Sequence, residues 1–151
     1  MIMKNFTLLL GIGFMLFSCK SDKVGPKPTE KVLKYQKSIT LPNGKLSFIG
    51  VSEGRCPWEA NVSCISGGSV IVDLELRATQ ASTSSKQVKM CLGDCAYDKS
   101  SKYNDTLRVG LGNITYSLTL LEVNPYPTKP EHLHEKDREK YSIKLKIQTV
   151  L

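Results

Sequence analysis

Residues 70–77 read VIVDLELR, and the reading of this stretch decides the fold. Val70, Val72, Leu74 and Leu76 fall on one side of an extended chain; Asp73, Glu75 and Arg77 fall on the other. Successive side chains of a strand point to opposite faces, so this alternation predicts a strand with one dry face and one wet face. The same period recurs towards both ends of the chain. Towards the N-terminus, Leu33, Tyr35 and Ile39 alternate with polar residues up to a break at Lys37. Pro42-Asn43-Gly44 then signals a hairpin, and Leu46 and Phe48 resume the pattern, with Ile49 and Val51 assigned to the far face. Towards the C-terminus, Val88, Met90 and Leu92 make a shorter strand. Leu107, Val109 and Leu111 lead into Gly112-Asn113, a second hairpin signal, and Ile114, Tyr116, Leu118 and Leu120 return from it. Tyr141, Ile143, Leu145 and Ile147 form the last strand, and its lysines suit a sheet edge.

About seven antiparallel strands follow, with Ala78–Lys86 and Asp98–Asn104 as loops. Glu122–Lys140, carrying Pro125, Pro127 and Pro130, reads as a long crossover before the last strand, with room for a one-turn helix near Glu135–Lys140. The expected class is all-β, an immunoglobulin-like β-sandwich in preference to a small barrel. A chain of 151 residues, 40% hydrophobic and 23% charged, is sized for one folded domain. That domain is set at residues 32–151.

The N-terminus reads as an address. Lys4 precedes an uncharged run from Phe6 to Phe17, too short for the ~20 residues that span a bilayer and suited to a secretory signal. Leu16-Phe17-Ser18-Cys19 resembles the lipobox of bacterial lipoproteins. The resemblance implies a signal peptide over residues 1–18, cleavage before Cys19, and diacylglyceryl modification of its thiol. One acyl chain binds a membrane marginally, whereas two or three hold stably. The expected location is therefore the cell envelope, lipid-anchored in the bilayer and in the outer membrane, on its periplasmic or surface face. Residues 19–31, rich in proline and lysine, read as a flexible, solvated tether.

The formal charge is +7, from 21 Lys plus Arg against 14 Asp plus Glu. Export argues against nucleic acid as the partner of this charge. The lysines are also spread along strands instead of being interleaved with aromatic rings. A basic tether beside anionic headgroups accounts for part of the excess.

Of the five cysteines, Cys19 is taken by the lipid, leaving Cys56, Cys64, Cys91 and Cys95. An even number in an exported chain reads as two disulfides, for which three pairings exist. The local pairing Cys56–Cys64 and Cys91–Cys95 is preferred, since Pro57 and Asn61 allow the first segment to fold back and Gly93-Asp94 suits a tight turn in the second. C-x₃-C is not the redox C-x₂-C spacing.

Leu46–Leu76 resembles a family of small exported lipoproteins common in Bacteroidetes. Their pattern is a strand, Asp-Ser-Arg-Cys-Pro, a short loop, Val-x-Cys-x-Trp-x-Gly and an alternating strand. Arg55, Cys56 and Pro57 match its first half; Val62, Cys64 and Gly67 or Gly68 match its second. A later Val-x-Pro-x-Pro element matches Val123, Pro125 and Pro127. Glu53-Gly54 replaces the family's Asp-Ser, and Ser66 stands where it has tryptophan. The resemblance implies an all-β domain with one disulfide across the loop, which leaves Cys91 and Cys95 to each other. It implies no activity.

Trp58, the single tryptophan, lies inside that loop beside Arg55 and Glu59. Arg55 and Trp58 are the candidate contacts for a partner, an envelope protein or a glycan. For Trp58 the preferred reading is nevertheless structural, with the ring folded over the end of the sandwich and covering core. His132 and His134 in EHLHE could face one metal, but a solvated, proline-flanked loop accounts for them and no metal is expected. No nucleophile–base pair stands out, so no enzyme activity and no cofactor are expected. The functional expectation is a non-catalytic binding or accessory module, with inhibition of a protease or other hydrolase through the Cys56–Cys64 loop as the alternative.

Overall fold

An amphipathic strand is stable in water only when a second layer covers its apolar face. Val70, Val72, Leu74 and Leu76 are each 0% exposed, and two sheets meet over them. The computed structural model describes residues 26–58, 63–79, 85–96, 100–128 and 135–150. The strands in these residues are β1 (Thr29–Lys34), β2 (Ser38–Leu41), β3 (Gly44–Glu53), β4 (Ser69–Ala78), β5 (Ser85–Cys95), β6 (Ser100–Lys102), β7 (Asp105–Leu111), β8 (Ile114–Asn124) and β9 (Ser142–Val150). One antiparallel sheet is ordered β1-β9-β8-β7 and the other β2-β3-β4-β5-β6. This is the expected β-sandwich, with more strands than the alternation alone revealed. The five-stranded sheet is a meander, and in the four-stranded sheet β1 joins the meander β7-β8-β9 beside β9, which is not the interleaved order of immunoglobulin domains.

Both predicted hairpins form. Leu41 faces Gly44 across Pro42-Asn43, and Leu111 faces Ile114 across Gly112-Asn113. Gly112 has φ 63°, the left-handed conformation such turns require. The Asn43 amide donates to Asn113 Oδ1 at 2.6 Å, tying the two turns together at one end of the sandwich.

Several expectations are corrected. The segment from Leu33 to Ile39 is two strands in different layers. The Tyr35 amide donates to the Tyr141 carbonyl (2.9 Å) in one sheet, and the next amide, Gln36, donates to Phe48 (2.8 Å) in the other. Gln36 turns the corner with φ 55°. Second, Val51 faces the core at 2% exposed, because the register shifts between Phe48 and Gly50. A bulge of this kind reverses the phase of every later side chain. A similar shift between Leu120 and Glu122 turns Val123 inward. Third, β9 is not an edge, since β1 and β8 flank it. Its Lys144 meets Glu30 of β1 at 3.0 Å and Glu122 of β8 at 3.8 Å. The hydrogen bond and charge of Glu30, then the charge of Glu122, raise the lysine's pKa. Fourth, residues 122–140 link neighbouring antiparallel strands, so they close a long hairpin and make no crossover. The predicted short helix is there, as α1 (Glu135–Arg138). The loop expected at Asp98–Asn104 contains β6, too short to show a period. The sheet also begins at Thr29, taking in the last residues of the expected tether.

The clustered core runs from Leu33 to Ile147, so a chain starting after Cys19 carries all of it. The two ends of the sandwich differ. The start of β1, the end of β9 and both short turns lie at one end; the ends of β3 and β8 and the disulfide loop lie at the other. We predict that Leu74→Ala costs about 2–5 kcal/mol in denaturant unfolding. On the wet face, Lys146→Ala stays within about 0.5 kcal/mol. A Leu74→Ala loss as small as that of Lys146→Ala would contradict the layer assignment.

Candidate functional site

The ladder between β3 and β4 does not stop where the strands do. Gly54 N donates to Ser69 O (2.8 Å) and Cys56 N to Gly67 O (2.9 Å), so residues 53–56 run on against 67–69. Gly68 has φ 67°, and a Cβ there would collide with the Gly54 carbonyl, which restricts the position to glycine. Gly67, by contrast, has room for a side chain.

Arg55 spans the two sheets from this extension. Its Nε donates to Glu53 Oε1 at 2.8 Å and its Nη2 to Glu53 Oε2, a bidentate pair. Nη1 donates to the Val123 carbonyl and Nη2 to the Pro125 carbonyl, both at 2.9 Å. The guanidinium lies over the Tyr126 ring, 4.5 Å from its centroid. Glu53 also accepts from the Arg55 amide (2.9 Å) and from Tyr141 Oη (3.0 Å). The Arg55 side chain is 10% exposed and that of Glu53 6%. Burial first, then the Glu53 carboxylate beside it, push the Tyr141 phenol up to about 12.

Two segments far apart in the sequence thus meet in space, with Arg55 holding the carbonyls of Val123 and Pro125. Sequence reading named Arg55 as a partner contact and missed its structural work. Glu53, Tyr126 and Tyr141 were missed as members of the group. The partners are 68 and 70 residues away, beyond the reach of any local pattern.

Both local disulfides form, Cys56–Cys64 and Cys91–Cys95, each with Cα atoms 6.1 Å apart. Cys91 and Cys95 are buried, so the second bridge braces the end of β5 from within. The first closes the loop that follows Arg55. Trp58 on that loop is 73% exposed, which corrects the preferred expectation of a ring folded over the core. Ile65, next to Cys64, is fully exposed, and Tyr126 is 44% exposed. Clamp and bridge therefore carry an apolar rim of Trp58, Ile65 and Tyr126 at one end of the sandwich.

Cys19, His132 and His134 lie outside the described residues. Among the described residues, no group of three His, Cys, Asp or Glu side chains is arranged to hold a metal, and no helix is long and apolar enough to cross a membrane. Comparison with known proteins gives no match to a family model, a curated protein or a solved structure.

Two outcomes are predicted. Arg55→Ala strands a buried carboxylate and costs about 3–5 kcal/mol in equilibrium unfolding, and Arg55→Lys recovers little because one ammonium cannot replace the fork. A near-neutral Arg55→Ala would refute the clamp. Tyr141 has a folded pKa raised to about 12 from the ordinary 10.0. Its contribution is therefore complete below pH 10 and lost as pH rises towards 12. Alkaline melts should show this decline in the parent and not in Tyr141→Phe.

Proposed function

We propose that this chain is a cell-envelope lipoprotein of the small exported kind it resembles. It is held in the outer membrane by acylated Cys19, and its sandwich is a non-catalytic binding or accessory module. The observation that carries the reading is the exposed set of Trp58 and Ile65, beside the Cys56–Cys64 bridge, and Tyr126, against the Arg55 guanidinium. Exposed aromatic side chains on a rigid support lose little entropy on binding and are the usual anchors of interfaces. The rim lies at the opposite end from Thr29, where the chain from the anchor enters the sheet. A module so held presents the loop away from the bilayer, towards an envelope protein or a glycan.

A second reading, inhibition of a protease or other hydrolase, is favoured by the same bridged loop, because a closed, clamped loop can enter an active site without folding first. The anchor is tested by fractionation with labelled fatty acid. The parent should pellet with membranes and carry label, and Cys19→Ala should do neither; an unlabelled parent in the soluble fraction contradicts the reading. For the loop, the protein beginning at Lys20 is used as bait on envelope extracts. Trp58→Ala should keep its melting temperature, since exposed positions change stability by about 0.5 kcal/mol or less, and should lose the captured partner. Capture unaffected by Trp58→Ala argues against the rim. Inhibition of a captured hydrolase selects the second reading.

A further inference from the structure

Among the described residues the two sheets end in four edge strands, β1 and β7 in one and β2 and β6 in the other. An edge offers N–H and C=O groups to any further strand. β2 and β6 have only four and three residues to offer. β7 carries Arg108 at its centre, so a copy paired there about a twofold axis would set like charges face to face. β1 differs. Its outer face is Glu30, Val32 and Lys34, all exposed, and the apolar Val32 at its centre is 64% exposed. Which backbone groups of β1 remain for a further strand follows from its pairing with β9. The Tyr35 amide donates to the Tyr141 carbonyl at 2.9 Å, and the same register runs on through Leu33↔Ile143, Lys31↔Leu145 and Thr29↔Ile147. Hydrogen-bonded pairs alternate along an antiparallel ladder, so Thr29, Lys31 and Leu33 turn their N–H and C=O towards β9. Glu30, Val32 and Lys34 turn theirs to the free edge. There the Lys34 carbonyl already accepts from the Lys37 amide at 3.0 Å.

We propose that β1 pairs antiparallel with β1 of a second copy of this chain, about a twofold axis through Val32. Val32 then faces its own counterpart, and Glu30 of each copy faces Lys34 of the other. The outward groups meet in hydrogen-bonding positions: the two Val32 residues exchange N–H and C=O, and each Lys34 amide donates to a Glu30 carbonyl. On the outer face, apolar meets apolar at the axis and opposite charges meet on either side. Sliding by two residues sets Val32 against Lys34 or Glu30 and leaves no pair of opposite charges. Sliding by one sets outward backbone groups against inward ones. Charges on an edge strand ordinarily keep other strands away; these fit one register. The pairing joins the two four-stranded sheets into one. It is independent of the Trp58 loop. Where both copies are tethered to one bilayer, the paired strands lie along it and the two loops project sideways.

The test uses the protein beginning at Lys20, which carries the whole clustered core, in sedimentation equilibrium. The parent should show a reversible monomer–dimer equilibrium at millimolar concentration. Val32→Lys sets two cations face to face on the axis and should weaken the dimer about tenfold or more, while the exposed position leaves the melting temperature of the monomer unchanged. Glu30→Lys and Lys34→Glu each make both outer pairs repulsive, so either variant alone should be monomeric. Mixed, the two variants restore both pairs of opposite charge and should form a heterodimer about as tight as the parent dimer. A parent that stays monomeric at millimolar concentration overturns the proposal. A dimer indifferent to Val32→Lys, or two charge variants that remain monomers when mixed, overturns it equally, since the contact then lies elsewhere or in another register.

Discussion

A carboxylate removed from water costs several kcal/mol unless its charge is balanced and its oxygens are bonded. Glu53, at the end of β3, is in that position, and Arg55 answers it with two parallel hydrogen bonds while Tyr141 adds a third. The same guanidinium then reaches the carbonyls of Val123 and Pro125 in the other sheet. One ion pair thereby fixes the end of β3, the start of the disulfide loop, the exit of β8 and the ring of Tyr126. Without it, the two layers would still meet through their apolar faces, but the loop would have no fixed place on them.

This arrangement divides labour along the long axis of the strands. The middle is a dry core of aliphatic side chains with few polar interruptions. At one end the Arg55 clamp and the Cys56–Cys64 bridge lie beside the exposed side chains of Trp58, Ile65 and Tyr126. At the other, where β1 begins, the core gives way to Thr29, Lys31 and the hydroxyl of Tyr116.

How much was legible in the sequence follows from which signals are local. β4 could be read because every residue from Val70 to Arg77 obeys one period. The two turns could be read because their residues suit the backbone they adopt, and the disulfides because both pairs are close along the chain. Val51 was placed on the wrong face since a bulge at Ile49 leaves no mark in composition. The lysines of β9 suggested an edge, but the strand is flanked on both sides and its Lys144 is matched by Glu30 and Glu122 on the neighbouring strands, which only the pairing reveals. β6 was missed for its brevity, and β1 and β2 were merged because a single residue, Gln36, separates the layers. At the site, Arg55 and Trp58 were identified by type and position. The work of Arg55 could not be, since its carbonyl partners are distant in sequence and backbone atoms carry no residue signature.

The central claim is that Glu53 and Arg55 act as one buried unit joining the sheets beneath the loop. A double-mutant cycle tests it most directly: unfolding free energies of the parent, Glu53→Gln, Arg55→Met and the double variant. The account predicts a favourable coupling of about 1–3 kcal/mol, with the double variant less damaged than the two single losses summed. Additive losses, with coupling near zero, would contradict it.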